Sequence, residues 1–447
     1  MPMWSTPSSP AAERIHAAHL ELVGTEPAHC ASAPATFSLI GEHIDHFGGV
    51  AIMGLAQMRV AAAVSPRTDG TIAVHLVPHE GETINDAISF TELASRAAEQ
   101  LPSIDSEGQP IIPSAPVGGF AARWGGIAHT MINRQLLSRE TAGMDITVVS
   151  DIPFAAGLGA LAAGDVAVAL ALLGDAEELH SAPLRARIAD VCSQSVGTFG
   201  EYPALRARHT AALRGVGETV TIVDYADGSV TQAPHPVTRE IAAFAVTVPG
   251  DFDATPGIAA IRQRERFIDD ACHAFGAESL RLLPDASQRV LDWLKAVHKV
   301  HGSANQPTLA EAAEWLVFYS EETERAQELA RALRSRRGTD LFPLLNQSQQ
   351  ALTTVYGLHS AEKIAELATV RGARSARSAH AGTSRSVIAF VPAARPMTSQ
   401  RTSPRTDCWW FHCSTASKLI PFSHSSELTT TSQQATQKAR RALPRQL

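Results

Sequence analysis

The chain has 447 residues, 45% hydrophobic and 19% charged, with a formal net charge of −7. That is enough apolar material for two or three domains or one large two-lobed enzyme, and the acidic balance gives no electrostatic reason for a nucleic-acid partner. The five cysteines are scattered and odd in number, which points to reduced thiols and a cytoplasmic protein; Cys408 and Cys413 lie close together but lack a second ligand pair for zinc.

The start of the chain shows no signal-peptide pattern, and no apolar run reaches the roughly 20 residues of a membrane span. Residues 11–24 carry apolar positions at helical spacing and predict an opening helix. From about Pro34 the pattern turns to strands. The runs 51–64 and 71–76, flanking the Asp69-Gly70 turn signal, predict a hairpin. A helix is expected over 118–137 and a strand over 146–150. The stretch 160–173 is apolar almost all round and predicts a buried helix. Strands at 219–224 and 241–248 open a second half, followed by helices near 258–276, 286–299 and 309–334 and a closing strand at 386–391. Beyond about residue 394 the composition shifts to Ser, Thr, Gln and Arg. That segment reads as a disordered tail, with Trp409-Trp410-Phe411 as an accident of sequence.

The most informative stretch is Leu39-Ile40-Gly41-Glu42-His43-Ile44-Asp45-His46-Phe47-Gly48-Gly49. Two carboxylates and a histidine within four positions, followed by paired glycines, suit a turn that hydrogen-bonds a polyhydroxylated ligand. Carboxylate oxygens accept from sugar hydroxyls, and an unfilled site strands its polar groups. These residues resemble the signature of galactokinases, sugar kinases of the GHMP superfamily, which reads close to Gly-Arg-x-Asn-Leu-Ile-Gly-Glu-His-Thr-Asp-Tyr-x-x-Gly. The resemblance implies that Glu42 and Asp45, with His43 beside them, contact a galactose-like sugar. It also places Thr36 where the family has its catalytic arginine.

Three further segments extend the resemblance over about residues 30–393. Pro153 to Ala163 looks like the family's phosphate loop, with Gly157, Leu158, Gly159, Ala160, Leu161, Ala162 and Ala163 leading into a helix whose N–H groups would hold ATP phosphates. The three serine positions fall on Gly159, Ala160 and Leu161, so the hydroxyl that would hold magnesium falls on Leu161. Residues 205–214 are similar to the segment of the catalytic base; anchoring on Leu213-Arg214 puts Arg208 at the aspartate, with His209 one residue away. An arginine cannot take up a proton. Residues 375–386 align with the glycine-rich loop near the family's C-terminus, of whose glycines only Gly382 remains, and Asn346 to Leu352 resembles the helix before it.

The resemblance implies an α+β, two-lobed GHMP kinase fold. The lobes would be ribosomal-protein-S5-like at 29–200 and ferredoxin-like at 201–394, with an extension at 1–28 and the tail at 395–447. It implies ATP and Mg as cofactors, a galactose-like sugar as ligand, and neither nucleic acid nor membrane as partner. Because no catalytic position is intact, phosphorylation of galactose at the anomeric hydroxyl is expected to be impaired or absent. The alternatives are a functional galactokinase or related sugar kinase with substituted groups, and a non-enzymatic sugar-sensing regulator with a protein partner.

Overall fold

A computed structural model describes residues 4–393, apart from Thr6, Pro102, 105–109, Ile112, Glu177, Pro249 and Asn305, together with Trp409–His412. The chain opens on helix α1 (Ala11–Val23) and strand β1 (His29–Ile40). Strand β2 (Val50–Arg67) runs for 18 residues because it serves two edges: β1 lies antiparallel along one, and two other strands share the other. Next come β3 (Thr71–Val77), β4 (Ile84–Ser89), α2 (Phe90–Glu99), the two-residue strands β5 (Ser103–Ile104) and β6 (Pro110–Ile111), α3 (Phe120–Asn133) and β7 (Gly143–Ser150).

β7 decides the first sheet. It pairs antiparallel with β2 over residues 60–67 and parallel with β3, so β2 and β3 do not touch as a hairpin. The Asp69-Gly70 turn, read above as a hairpin signal, instead spans the width of an inserted strand. The reason is burial: β7 is covered along its whole length, and a central slot is where such a strand sheds most water.

Helices α4 (Ala160–Leu173), α5 (Ala182–Phe199) and α6 (Arg206–Arg214) follow. α4 matches the predicted span residue for residue, and its apolar surface packs on β1 and β2 beneath α3, α5 and α6. The hairpin of β8 (Thr219–Asp224) and β9 (Val230–Pro234) then adds to the sheet, with β8 pairing Val50–Gly54 of β2. The expectation that residues 219–224 begin the second half is therefore corrected. The seven-stranded sheet has the order β4-β3-β7-β2-β8-β9, with β1 on β2.

The second lobe starts at β10 (Ile241–Thr247). It continues through α7 (Thr255–Phe275), α8 (Ala286–His301), α9 (Leu309–Arg334), α10 (Gly338–Thr354), α11 (Glu362–Val370), β11 (Ser375–Ser378) and β12 (Val387–Pro392). α9 begins at a full capping box, in which Thr308 and Glu311 satisfy each other's backbone N–H groups. The antiparallel sheet has the order β11-β12-β10-β13, where β13 is Trp409–His412 paired with β10. Three of these residues, Trp409-Trp410-Phe411, read above as an accident within a disordered tail, thus belong to an edge strand. Other residues of that segment, including Cys408 and Cys413, lie outside the described residues.

Two cores set up the site. One fills the space between the first sheet and α3, α4 and α5. The other is aromatic, built from Phe267, Phe318, Trp315, Tyr319 and Tyr356, and it receives Ile44 and Phe47 from the turn after β1. That turn is consequently pinned between the lobes. No described helix is long and apolar enough to cross a membrane.

Candidate functional site

The turn between β1 and β2 has a left-handed start. Gly41 has φ +84°, and a Cβ there would lie 2.3 Å from the Val50 carbonyl oxygen, so only glycine fits. His43 follows with φ +63°. Its Nε2–H donates to the Ala381 carbonyl at 3.0 Å, which leaves Nδ1 as a bare acceptor; burial lowers its pKa and keeps the ring neutral.

Glu42 is buried, and its Oε2 accepts from Arg377 at 2.8 Å. Arg377, 1% exposed, also donates to Ser348 Oγ at 2.8 Å and to Glu322 Oε1 at 3.3 Å. Glu322 in turn receives the Gly41 N–H at 3.2 Å and Arg325 at 3.0 Å. The signature carboxylate is therefore wired into an ion network that joins β1, α9, α10 and β11.

Four buried polar atoms beside this network have no hydrogen-bond partner among the described residues: Glu42 Oε1, His43 Nδ1, Asp45 Oδ2 and Tyr225 OH. Their residues line one cavity of about 10 Å³, which is room for roughly one water. Orphaned polar atoms are costly and rare in buried surroundings. Three acceptors and a hydroxyl converging on one spot are a set that a polyol's hydroxyls would complete, yet in this state the space is far smaller than a hexose. Arg206 stacks over the Tyr225 ring at 5.0 Å and lies 3.9 Å from Asp45.

Behind the turn, His46 Nδ1–H donates to Asp269 at 2.8 Å, with Glu265 3.9 Å from Nε2. Burial would lower its pKa, but Asp45, Asp269 and Glu265 outweigh it and hold the ring up at about 10. An imidazolium held above its ordinary 6.5 stabilises the fold fully below that value and loses the contribution as pH rises through about 10. The thermal midpoint is therefore expected to fall between pH 7 and 10.5 more steeply in the wild type than in His46→Gln. Parallel curves for the two proteins would refute the assignment.

A second, larger cavity of about 430 Å³ opens on the other side of the first turn of α6, a size usual for small-molecule sites. Phe120, Phe154 and Leu161 supply apolar wall, while Arg123, Arg208 and His380 supply polar groups. The α4 N-terminus faces it. Gly157 (φ +69°) and Gly159 (φ +70°) bring the loop in, and Gly159 caps the helix with no side-chain hydrogen bond, leaving the first N–H groups open. A Cβ at Gly159 would stand 2.7 Å from both Arg208 Nη1 and Thr36 Oγ1.

The positions that departed from the motifs meet here. Arg208 is 2% exposed; its Nη1 donates to the Thr36 carbonyl and, at 3.3 Å, to Thr36 Oγ1. Its Nη2 donates to the carbonyls of Gly157 at 3.0 Å and Ala379 at 2.6 Å. Burial, against the pull of Glu42 at 4.0 Å, lowers its pKa to about 10, so it stays a cation at neutral pH. Arg208 thus rivets β1, the turn before α4 and the loop after β11 together.

His209 is committed elsewhere, with Nε2 on Asp165 at 3.0 Å and Nδ1 on Ser193 at 2.9 Å. Asp165 is fully buried and also receives Arg123 (2.7 and 2.6 Å) and Trp124 (3.2 Å). Burial would raise its carboxyl, but Arg123 and His209 hold it below the usual range. Motif reading missed this hub and missed the bridging role of Arg377. The available signal was a lone aspartate inside an otherwise apolar helix, which demands a buried partner.

The residues present suit a nucleotide's phosphates, through open helix N–H groups and guanidinium charge. They do not suit magnesium: Gly159, Ala160 and Leu161 carry no oxygen side chain, and among the described residues no group of acidic, histidine or cysteine side chains could hold a metal.

The chain is similar to several known proteins. The galactokinase galactose-binding signature matches residues 17–66. A galactokinase from Streptomyces coelicolor is 28% identical over 221 residues, 49% of this chain and 50% of that protein. One from Canis lupus familiaris is 24% identical over 261 residues, covering 58% and 60%. The chain thus spans about half of the curated relatives it matches. Lactococcus lactis galactokinase, solved complexed with galactose, superposes with a TM-score of 0.63 at 15% identity over 90% of this chain and 97% of that one. The signature, these relatives and the common α+β fold of two lobes make the chain similar to galactokinases.

Proposed function

We propose that this is a galactokinase-fold, sugar-binding protein of the cytoplasm in which phosphoryl transfer is crippled. The observation that carries the reading is Arg208. By the motif alignment a guanidinium falls where the family has its base, and its Nη groups are spent on three main-chain carbonyls and the Thr36 hydroxyl. It can neither accept a proton nor swing toward a transferring phosphate without breaking those bonds. Thr36 offers no charge in exchange. Loss of a general base costs roughly 100- to 10,000-fold and loss of an electrostatic stabiliser roughly 100- to 1,000-fold, though the two need not multiply.

Sugar recognition falls to the orphaned atoms of Glu42, His43, Asp45 and Tyr225, and the phosphates of a nucleotide to Gly157 through Ala163. A galactose-like ligand requires the small cavity to widen, and the first turn of α6, which walls it with Leu205, Arg206 and Ala207, is the element that must yield.

Two measurements test the reading. In a coupled ATP/galactose assay, turnover is expected far below about 1 per second, the lower end of ordinary enzymes; a rate at or above that would overturn it. In thermal shift, galactose and Mg-ATP added separately are each expected to raise the midpoint. A ligand at about 100 times its dissociation constant adds roughly 2.7 kcal/mol. Absence of any shift with galactose would sink the sugar-binding part.

A further inference from the structure

We propose that His380 is the proton acceptor of the large cavity, and that the transfer this protein still performs runs through it. The proposal rests on the sugar-and-nucleotide reading above and adds a residue to it. His380 stands in the loop after β11 at a position where the family's loop has glycine, so its side chain is an addition to the cleft.

The loop holds it in place on both sides. The preceding carbonyl, Ala379, accepts from Arg208 at 2.6 Å, and the following one, Ala381, accepts from His43 at 3.0 Å. The N–H groups of Thr383 and Ser384 close back on the His380 carbonyl. Ala379 also packs against Gly157, where an added Cβ would meet the Ala379 Cβ at 2.6 Å. His380 therefore sits between the residue that His43 of the signature turn reaches and the residue that packs on Gly157. A group bridging an acceptor hydroxyl and a donor phosphate would have to stand there.

Elimination leads to the same side chain. Among the residues lining this cavity, Arg123 and Arg208 cannot accept a proton, and both nitrogens of His209 are occupied. Tyr202, its pKa raised by burial and by Glu201, keeps its proton at neutral pH. Glu201 is an exposed carboxylate at the rim. The His380 ring lines the cavity, and among the described residues no hydrogen bond reaches either of its nitrogens. Burial first, then the neighbouring Arg208 on α6, His43 on the turn and Arg123 on α3, drive its pKa well below 6.5, so the free ring is neutral.

In the step this implies, an acceptor hydroxyl gives its proton to a bare His380 nitrogen as its oxygen bonds to the terminal phosphorus of a nucleoside triphosphate. The bond from that phosphorus to the bridging oxygen breaks, the diphosphate leaves with the electron pair, and the imidazolium returns the proton to solvent. A weakly basic imidazole makes the step slow.

The test is galactose-dependent ADP release with Mg-ATP across pH 5–9 in the wild type, His380→Gln and His380→Ala, beside thermal shift with each ligand. The wild-type rate is expected to be low, flat at and above neutral pH, and falling only well below pH 6.5. His380→Gln is expected to be about 100-fold slower, to lose the acid limb, and to keep its thermal shifts. Three results would overturn the proposal: a variant with the wild-type rate, a slower variant with an unmoved pH profile, or no wild-type ADP release despite thermal shifts with both ligands. Loss of the shifts themselves would instead bring down the binding reading underneath.

Discussion

Introducing arginine at Thr36 and aspartate at Arg208 in the same chain is expected to raise galactose-dependent ADP release about 100-fold or more above the wild type. The two positions are 172 residues apart in sequence, yet the Arg208 guanidinium reaches both the carbonyl and the hydroxyl of Thr36. A guanidinium entering from β1 can therefore meet a carboxylate entering from α6. The double substitution supplies a base, worth roughly 100- to 10,000-fold, and returns a mobile positive charge to the phosphate side. Each single change should fail for its own reason. Arg208→Asp alone buries a carboxylate near Glu42 with no cation to answer it, and Thr36→Arg alone crowds two guanidiniums. A double-mutant cycle read in both turnover and thermal midpoint checks this: the stability terms should couple favourably. Additive single effects, or a double mutant no faster than wild type, would show that the cleft has lost more than these two groups. Leu161→Ser in the same background is the natural next step, since it restores an oxygen ligand at the α4 N-terminus.

The second large effect is on stability. Arg377→Ala is expected to destabilise the protein by about 3–5 kcal/mol, the usual result of removing one partner from a buried ion network. Its guanidinium, 1% exposed, is the direct tie between Glu42 of the signature turn and Glu322 of α9. Without it Glu42 loses its short ion pair, and Glu322 keeps Arg325, Ser348 and the Gly41 N–H. Arg377→Lys should recover part of the loss, because a single ammonium cannot reproduce the fork that serves Ser348, Glu42 and Glu322 at once. The measurement is the thermal midpoint of each variant, followed by galactose titration. A loss near 1 kcal/mol for Arg377→Ala would mean that water reaches these carboxylates.

The elements that were legible in the sequence are those whose signal is local. α4 shows itself as an almost wholly apolar run, and α9 by its length. Partner choice between strands was not legible. The 51–64 and 71–76 runs look like a hairpin, and nothing local reveals that β7, some seventy residues on, takes the place between them. Nor did the reading of Thr219–Asp224 as second-half survive, since β-branched residues specify a strand and leave its sheet open. Trp409–His412 shows the same limit, for an edge strand gains its meaning only from β10.

At the site, the residue types of the Glu42-His43-Asp45 turn suggested a polyol ligand, and the resemblance to galactokinases put Thr36, Leu161 and Arg208 at the family's catalytic positions. Spacing along the chain could not show that Thr36 and Arg208 touch, that Arg123 and His209 share Asp165, or that His380 stands bare between two anchored carbonyls. Those facts belong to tertiary structure because each joins groups from different elements. Whether a buried charge is a base, a rivet or a counter-ion depends on which partners surround it and how much water they exclude. Ancestry and chemical capacity are properties of the residues themselves; the assignment of roles among them was decided by burial and distance.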